Sequence, residues 1–171
     1  MIRLVDYDPR WPAMFEAEAE RIRDALGSLG LRIEHVGSTS VPDLVAKPVI
    51  DIQVSVASLA PITTYEERLG ALGYAHLALD DFDRVYPYFR KPAEWPSTHH
   101  IHLCEAGSEL ERRHIAFRDA LRADARLAAQ YAQLKRSLAA LHHGRTHESR
   151  ESYSLGKTGF VESVLAGPSS D

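Results

Sequence analysis

Asp51 stands inside the run Val49-Ile50-Asp51-Ile52-Gln53-Val54, whose other members apart from Gln53 are apolar and branched at Cβ. Aspartate is disfavoured in such a strand and costly to bury alone, so a carboxylate here demands a metal, a cation or hydrogen-bond donors. Two readings stay open at this point: a metal ligand or base at a strand end, or a structural aspartate bonded to the turn just upstream. That turn, Gly37-Ser38-Thr39-Ser40, offers three hydroxyls and consecutive backbone N–H groups, the makings of an anion-binding concavity. Glycine lets the backbone approach a phosphate closely. Lys47 is the nearest cation in the chain, and the lysine spacing of a Walker loop is absent.

His100 and His102 flank Ile101, and strand periodicity puts both imidazoles on one face. Such a pair, with His35 just before the glycine turn, suits a metal held by His100, His102, His35 and Asp51. Convergence requires the strand at 99–104 to lie beside the strand at 49–56. Imidazole ligands shift the preference from magnesium towards manganese or zinc.

These residues must be positioned by a small set of elements. Asp8 to Pro12 supplies the start of a helix carrying Phe15, Ala19, Ile22, Leu26 and Leu29 at helical spacing, stopped by Gly27 and Gly30. Strands are expected at Leu31–Val36, Val49–Val56, Tyr74–Leu79, Arg84–Arg90 and His99–Cys104, with a helix at Ile62–Leu72 and a loop at Lys91–Ser97. From Ser108, at capping-box spacing from Glu111, the chain turns helical, with Leu110, His114, Phe117 and Leu121 on one face. Further helices are expected at Ala125–His143 and Glu148–Leu165. The whole describes one domain over 1–171: an α/β core at 1–106 and packed helices at 107–166.

Composition is that of a soluble globular protein, with a formal net charge of -4 and a single cysteine, Cys104. That charge excludes a general affinity for long nucleic acid, and no stretch is apolar enough to span a membrane. A cytoplasmic location is the expectation.

Val36-Gly37-Ser38 followed by Asp51-Ile52-Gln53-Val54 resembles the nucleotidyltransferase signature of the DNA polymerase beta superfamily. More closely, the stretch EHVGSTSVPDLVAKPVIDI, Glu34 to Ile52, is similar to the signature of the GrpB family, and the resemblance continues through His100-Ile101-His102, the FRDALR run at 117–122, Tyr131 to Lys135, Tyr153 and Lys157. The resemblance implies an α/β fold with a mixed sheet of about four or five strands, an N-terminal helix and C-terminal helices. It also implies metal-dependent transfer of a nucleotidyl or phosphoryl group from a nucleoside triphosphate, or another phosphorylated small molecule, to a small acceptor, with Mg, Mn or Zn as cofactor.

By the same resemblance, Asp51, His100 and His102 are the catalytic and metal candidates. Gly37, Ser38, Thr39, Ser40, Lys47, Arg118, Tyr131, Lys135, Tyr153 and Lys157 are the phosphate-side candidates. Tyr131 and Lys135, like Tyr153 and Lys157, are i,i+4 pairs that share a helix face. The sequence departs from the superfamily pattern at Gln53, a neutral amide where a second carboxylate is expected. That departure favours two alternatives: a catalytically idle nucleotide- or metabolite-binding module, and a domain whose histidines form a structural metal site.

Overall fold

The computed structural model describes residues 2–77 and 86–167. Helix α1 (Trp11–Leu26) starts where Pro12 can occupy the first turn and ends at Gly27, burying Trp11, Phe15, Ala19, Ile22 and Leu26 on one side. Strand β1 (Gly30–Val36) leads into the glycine turn, and β2 (Ile50–Val56) follows a link of irregular chain. Helix α2 (Ile62–Gly70), β3 (Ala75–Leu77), β4 (Tyr88–Lys91) and β5 (His99–Glu105) complete the first half. The ends of the strands expected at Tyr74–Leu79 and Arg84–Arg90 lie partly outside the described residues.

The sheet is mixed, in the order β1-β2-β5-β4-β3. β2 and β5 are parallel neighbours, and the other pairs are antiparallel. The register sets Asp51 opposite His100 and Gln53 opposite His102, so the convergence that the histidine spacing required is met. Alternation then separates two faces. Ile50, Ile52, Val54 and Val56 join Phe89, Ile101, Leu103 and the buried side of α1 and α2 in the main core. Asp51, Gln53 and Ser55 share the other face with His100, His102 and Cys104.

Helices α3 (Glu109–Ala123), α4 (Ala125–Leu141), α5 (His147–Leu155) and α6 (Thr158–Ala166) make the second half. α3 lies over the polar face of the sheet. Phe117, Leu121, Leu127, Tyr131, Ala132, Leu134 and Phe160 bury a second cluster against Val41, Leu44 and Val45, so the link between β1 and β2 is core for these helices. The single helix expected at Glu148–Leu165 is instead two, broken at Gly156 and Lys157. A Cβ at Gly156 would come within 2.5 Å of the Leu138 side chain, so the missing side chain is what lets α5 close on α4. Among the described residues, no helix is long and apolar enough to cross a membrane.

Candidate functional site: an aspartate–histidine pair beside three lysines

Gly37 holds the turn against β2. Its φ is +69°, a conformation that favours glycine, and a Cβ there would lie 2.4 Å from Asp51 Oδ2. The Asp51 carboxylate therefore packs directly on the turn, but its hydrogen bonds come from elsewhere: His100 Nδ1 lies 3.1 Å and His102 Nε2 3.4 Å from Oδ1. Burial pushes the Asp51 carboxyl up. The hydrogen bonds and charge of the two histidines outweigh burial and hold it well below the usual carboxylate range. With Nδ1 donating to Asp51, the neutral form of His100 carries its lone pair on Nε2. Tyr88 lies against both rings, at centroid distances of 5.1 and 5.4 Å.

His35 faces the other way. It pairs with Ile52, stacks on Phe15 at 4.7 Å and meets Thr39 Oγ1 at 3.0 Å. Burial lowers it to about 4, so it stays neutral in the core and does not join His100 and His102. Among the described residues no group of three or more His, Cys, Asp or Glu side chains is placed to hold a metal ion. Gln53, fully buried, is occupied at both ends of its amide: His114 Nδ1 donates to its Oε1 at 2.9 Å, and its Nε2 donates to the Glu111 carbonyl at 3.4 Å.

The turn hydroxyls divide by role. Thr39 Oγ1 donates to the Val49 carbonyl and Ser40 Oγ to the Gly37 carbonyl, so both staple the turn itself. Ser38 alone looks outwards. Lys135 Nζ donates to Ser38 Oγ at 3.0 Å and to the Val45 carbonyl, and Tyr131 interacts with Ser38 as well.

Tyr131 and Lys135 meet at this hydroxyl, while Tyr153 gathers Lys47 and Lys157, whose charges reach Lys135. Lys135 Nζ lies 4.9 Å from the Tyr131 ring centre, while Lys47 and Lys157 sit 4.3 and 4.8 Å from that of Tyr153. The aromatic faces hold the three ammonium groups where little water reaches them. Burial, then the charge of Lys157, Arg136 and Lys47, lowers Lys135 to about 7. Burial, then the charge of Lys47, lowers Lys157 to about 8, with Asp51 opposing. Lys47 is lowered by burial too, against the pull of Asp51. Among the described residues none of these lysines has a carboxylate at ion-pair distance, whereas Lys91 is paired with Glu18 at 2.6 Å.

Arg118 is not available to this cluster. It pairs with Glu34 and Asp119, each at 2.8 Å, and donates to the His35 carbonyl. Arg122, which sequence reasoning passed over, clamps the turn through the Ser40 carbonyl. His114 was read as part of an apolar helix face, and the need of a buried Gln53 for partners was the signal that could have moved it. A cavity of about 790 Å³ lies beside the turn, lined by Phe15, His35, Pro42, Arg122 and Ala128 among others, and neither Ser38 nor Lys135 lines it.

Comparisons with known proteins agree with this architecture. UPF0157 protein of Halalkalibacterium halodurans is 39% identical over 166 residues, covering 96% of this chain and 80% of its own. UPF0157 protein YqkA of Bacillus subtilis is 34% identical over 163 residues, and there the chain spans about half of the relative's length, 46%. The solved structure of the conserved protein GrpB from Enterococcus faecalis matches with TM-score 0.82 at 32% identity, covering 96% of this chain and 95% of that one. The Cid1 poly(U) polymerase bound to Mg 3'-dATP matches with TM-score 0.56 at 15% identity, covering 82% of this chain and 45% of that one, a likeness of fold alone. The family model described as GrpB protein matches residues 1–166, so the chain belongs to the GrpB family and carries a nucleotidyltransferase-like α/β fold.

Proposed function

We propose that this protein binds a nucleoside triphosphate, or another phosphorylated small molecule, by its phosphates and transfers a nucleotidyl or phosphoryl group to a small-molecule acceptor. The observation that carries the reading is that Lys135, bonded to Ser38, lies close enough to Lys47 and Lys157 to feel their charge while, among the described residues, none of the three has a carboxylate at ion-pair distance. Buried charges are normally paired, so three unpaired cations in one place call for an anionic ligand. The lysines and the Ser38 hydroxyl would take the phosphates and neutralise the charge that grows on the leaving group. His100, held by Asp51, would accept the acceptor's proton on Nε2 as the new O–P bond forms and the bond to the leaving phosphate breaks.

The fold family implies a divalent ion, but among the described residues the side chains do not fit a two-ion centre. Among the described residues one carboxylate, that of Asp51, faces the site, the second position is Gln53, and that amide is already bonded at both ends. Any magnesium, manganese or zinc would enter as part of the nucleotide substrate. The same observation favours a second reading, in which the protein binds its phosphorylated ligand and performs no transfer.

The test is phosphate or pyrophosphate release from nucleoside triphosphates with candidate acceptors, with and without each cation, beside calorimetric binding. Under the transfer reading, Asp51→Asn and His100→Ala lower turnover by roughly 100-fold or more, the usual share of a positioned base, and leave binding within a few-fold. Saturable binding with no turnover in the wild-type protein, unchanged by Asp51→Asn, selects the second reading. Absence of binding, with Lys135→Met no different from wild type, sinks both.

A further inference from the structure

We infer that Trp95 is the platform on which the base of the bound ligand stacks, so that the ligand of the lysine cluster is a nucleotide rather than a sugar phosphate or an inorganic polyphosphate. The inference rests on the phosphate-binding reading above and deepens it. The two tryptophans differ sharply in environment: Trp11 is 3% exposed and Trp95 46%. Nearly half of the Trp95 surface is thus open to a planar partner.

Its place in the fold is specific. Thr98 N–H donates to the Lys91 carbonyl at 2.8 Å, closing the base of the loop at 92–97, and Ile50 N–H donates to the Thr98 carbonyl at 2.9 Å. The loop is thus tied to the first residue of β2, next to Asp51, at the sheet end where Lys47 also enters. From the other side, Arg150 on α5 sets its guanidinium carbon 4.9 Å from the Trp95 ring centre, and its own N–H groups bond the carbonyls of Gly144 and Arg145. The charge of Arg150 also acts on Lys47, whose ammonium lies over Tyr153 beside Lys157. An anchored, exposed indole thus meets a guanidinium whose charge is felt at Lys47, on the side of the sheet where the lysines lie. Phosphates on the lysines would bring an attached base within reach of a ring that stacks any base by its π-face.

The bland function of the same contact is to pin the loop to α5, and the experiment separates the two. The full chain is titrated with ATP and with inorganic tripolyphosphate, following tryptophan emission and calorimetric affinity in wild type, Trp95→Leu and Trp95→Phe. The expected result is that ATP quenches the exposed indole and binds roughly five- to 100-fold more tightly than tripolyphosphate, the range one base stack supplies. Trp95→Leu then abolishes that preference, with tripolyphosphate affinity unchanged, and Trp95→Phe largely restores it. Equal affinities and equal quenching for the two ligands, with both variants behaving as wild type, overturn the Trp95 assignment and leave the lysine site standing. Quenching by ATP with no binding of tripolyphosphate keeps Trp95 and removes the lysine site instead. The emission of buried Trp11 reports that the variants are folded.

Discussion

At the scale of single residues, Gly37 does two jobs that no other amino acid can combine. It supplies the positive φ that ends β1, and it leaves the space into which the Asp51 carboxylate fits. Gly37→Ala meets both penalties, a strained backbone and a contact at 2.4 Å that the carboxylate must yield to. We expect a loss of about 2 kcal/mol or more in urea denaturation, and displacement of Asp51 from its histidines, read as changed ring chemical shifts of His100 and His102 by NMR. Asp51 and the histidine pair were legible because each broke a local rule: a charge in an apolar strand, and two imidazoles two residues apart. His35 broke no such rule. Its side was decided by strand parity, which puts it with Ile52 in the core, and Arg118 was likewise claimed by Glu34 and Asp119, partners that sequence distance conceals.

At the scale of elements, α3 shows where reading by apolar periodicity stops. The stripe that meets the sheet is polar: Glu111, His114, Arg118 and Arg122 reach Ser55, Gln53, Glu34 and the Ser40 carbonyl in turn. The apolar residues Phe117 and Leu121 sit on its flank and pack with α4. Ser108 caps the helix as its spacing suggested, with its Oγ accepting from Glu111 N–H. The Glu111 side chain goes inwards instead, accepting from Arg32, Ser55 and the Gly107 N–H. Glu111→Ala leaves these donors without a partner and is expected to cost about 1–3 kcal/mol in urea denaturation, with tripolyphosphate affinity unchanged because Lys135 is untouched. The first helix and strands β1, β2 and β5 were read nearly to their ends, since period-two and helical spacing report burial directly, whereas among the described residues β4 begins only at Tyr88. The break between α5 and α6 was not, because it depends on how closely Gly156 approaches Leu138 on another helix.

At the scale of the whole molecule, the lysine cluster ties pH to binding and to stability with opposite signs. The cations must be protonated to hold phosphate, so affinity for tripolyphosphate is full below pH 7 and falls as Lys135, at about 7, and Lys157, at about 8, lose their protons. Ligand-free, both lysines bind fewer protons folded than unfolded over the same range. Stability from these groups therefore rises as pH climbs from about 7 towards the ordinary lysine value near 10.4. Calorimetric affinity that weakens from pH 6.5 to 9, beside a melting temperature of the free protein that does not fall with it, is the expected pair of observations. Both trends disappear together in Lys135→Met with Lys157→Met. Val41, Leu44 and Val45 of the link between β1 and β2, buried in one cluster with α3 and α4, are the reason Lys135 arrives at a turn that belongs to the sheet. The fold's two halves thus each own part of the proposed binding site: Ser38 comes from the glycine turn and Asp51 from β2, Lys135 from α4 and Lys157 from the break between α5 and α6. A phosphate seated between them works as a rivet across a seam, so the energy of recognising the ligand is also energy that resists prising the helices away from the sheet.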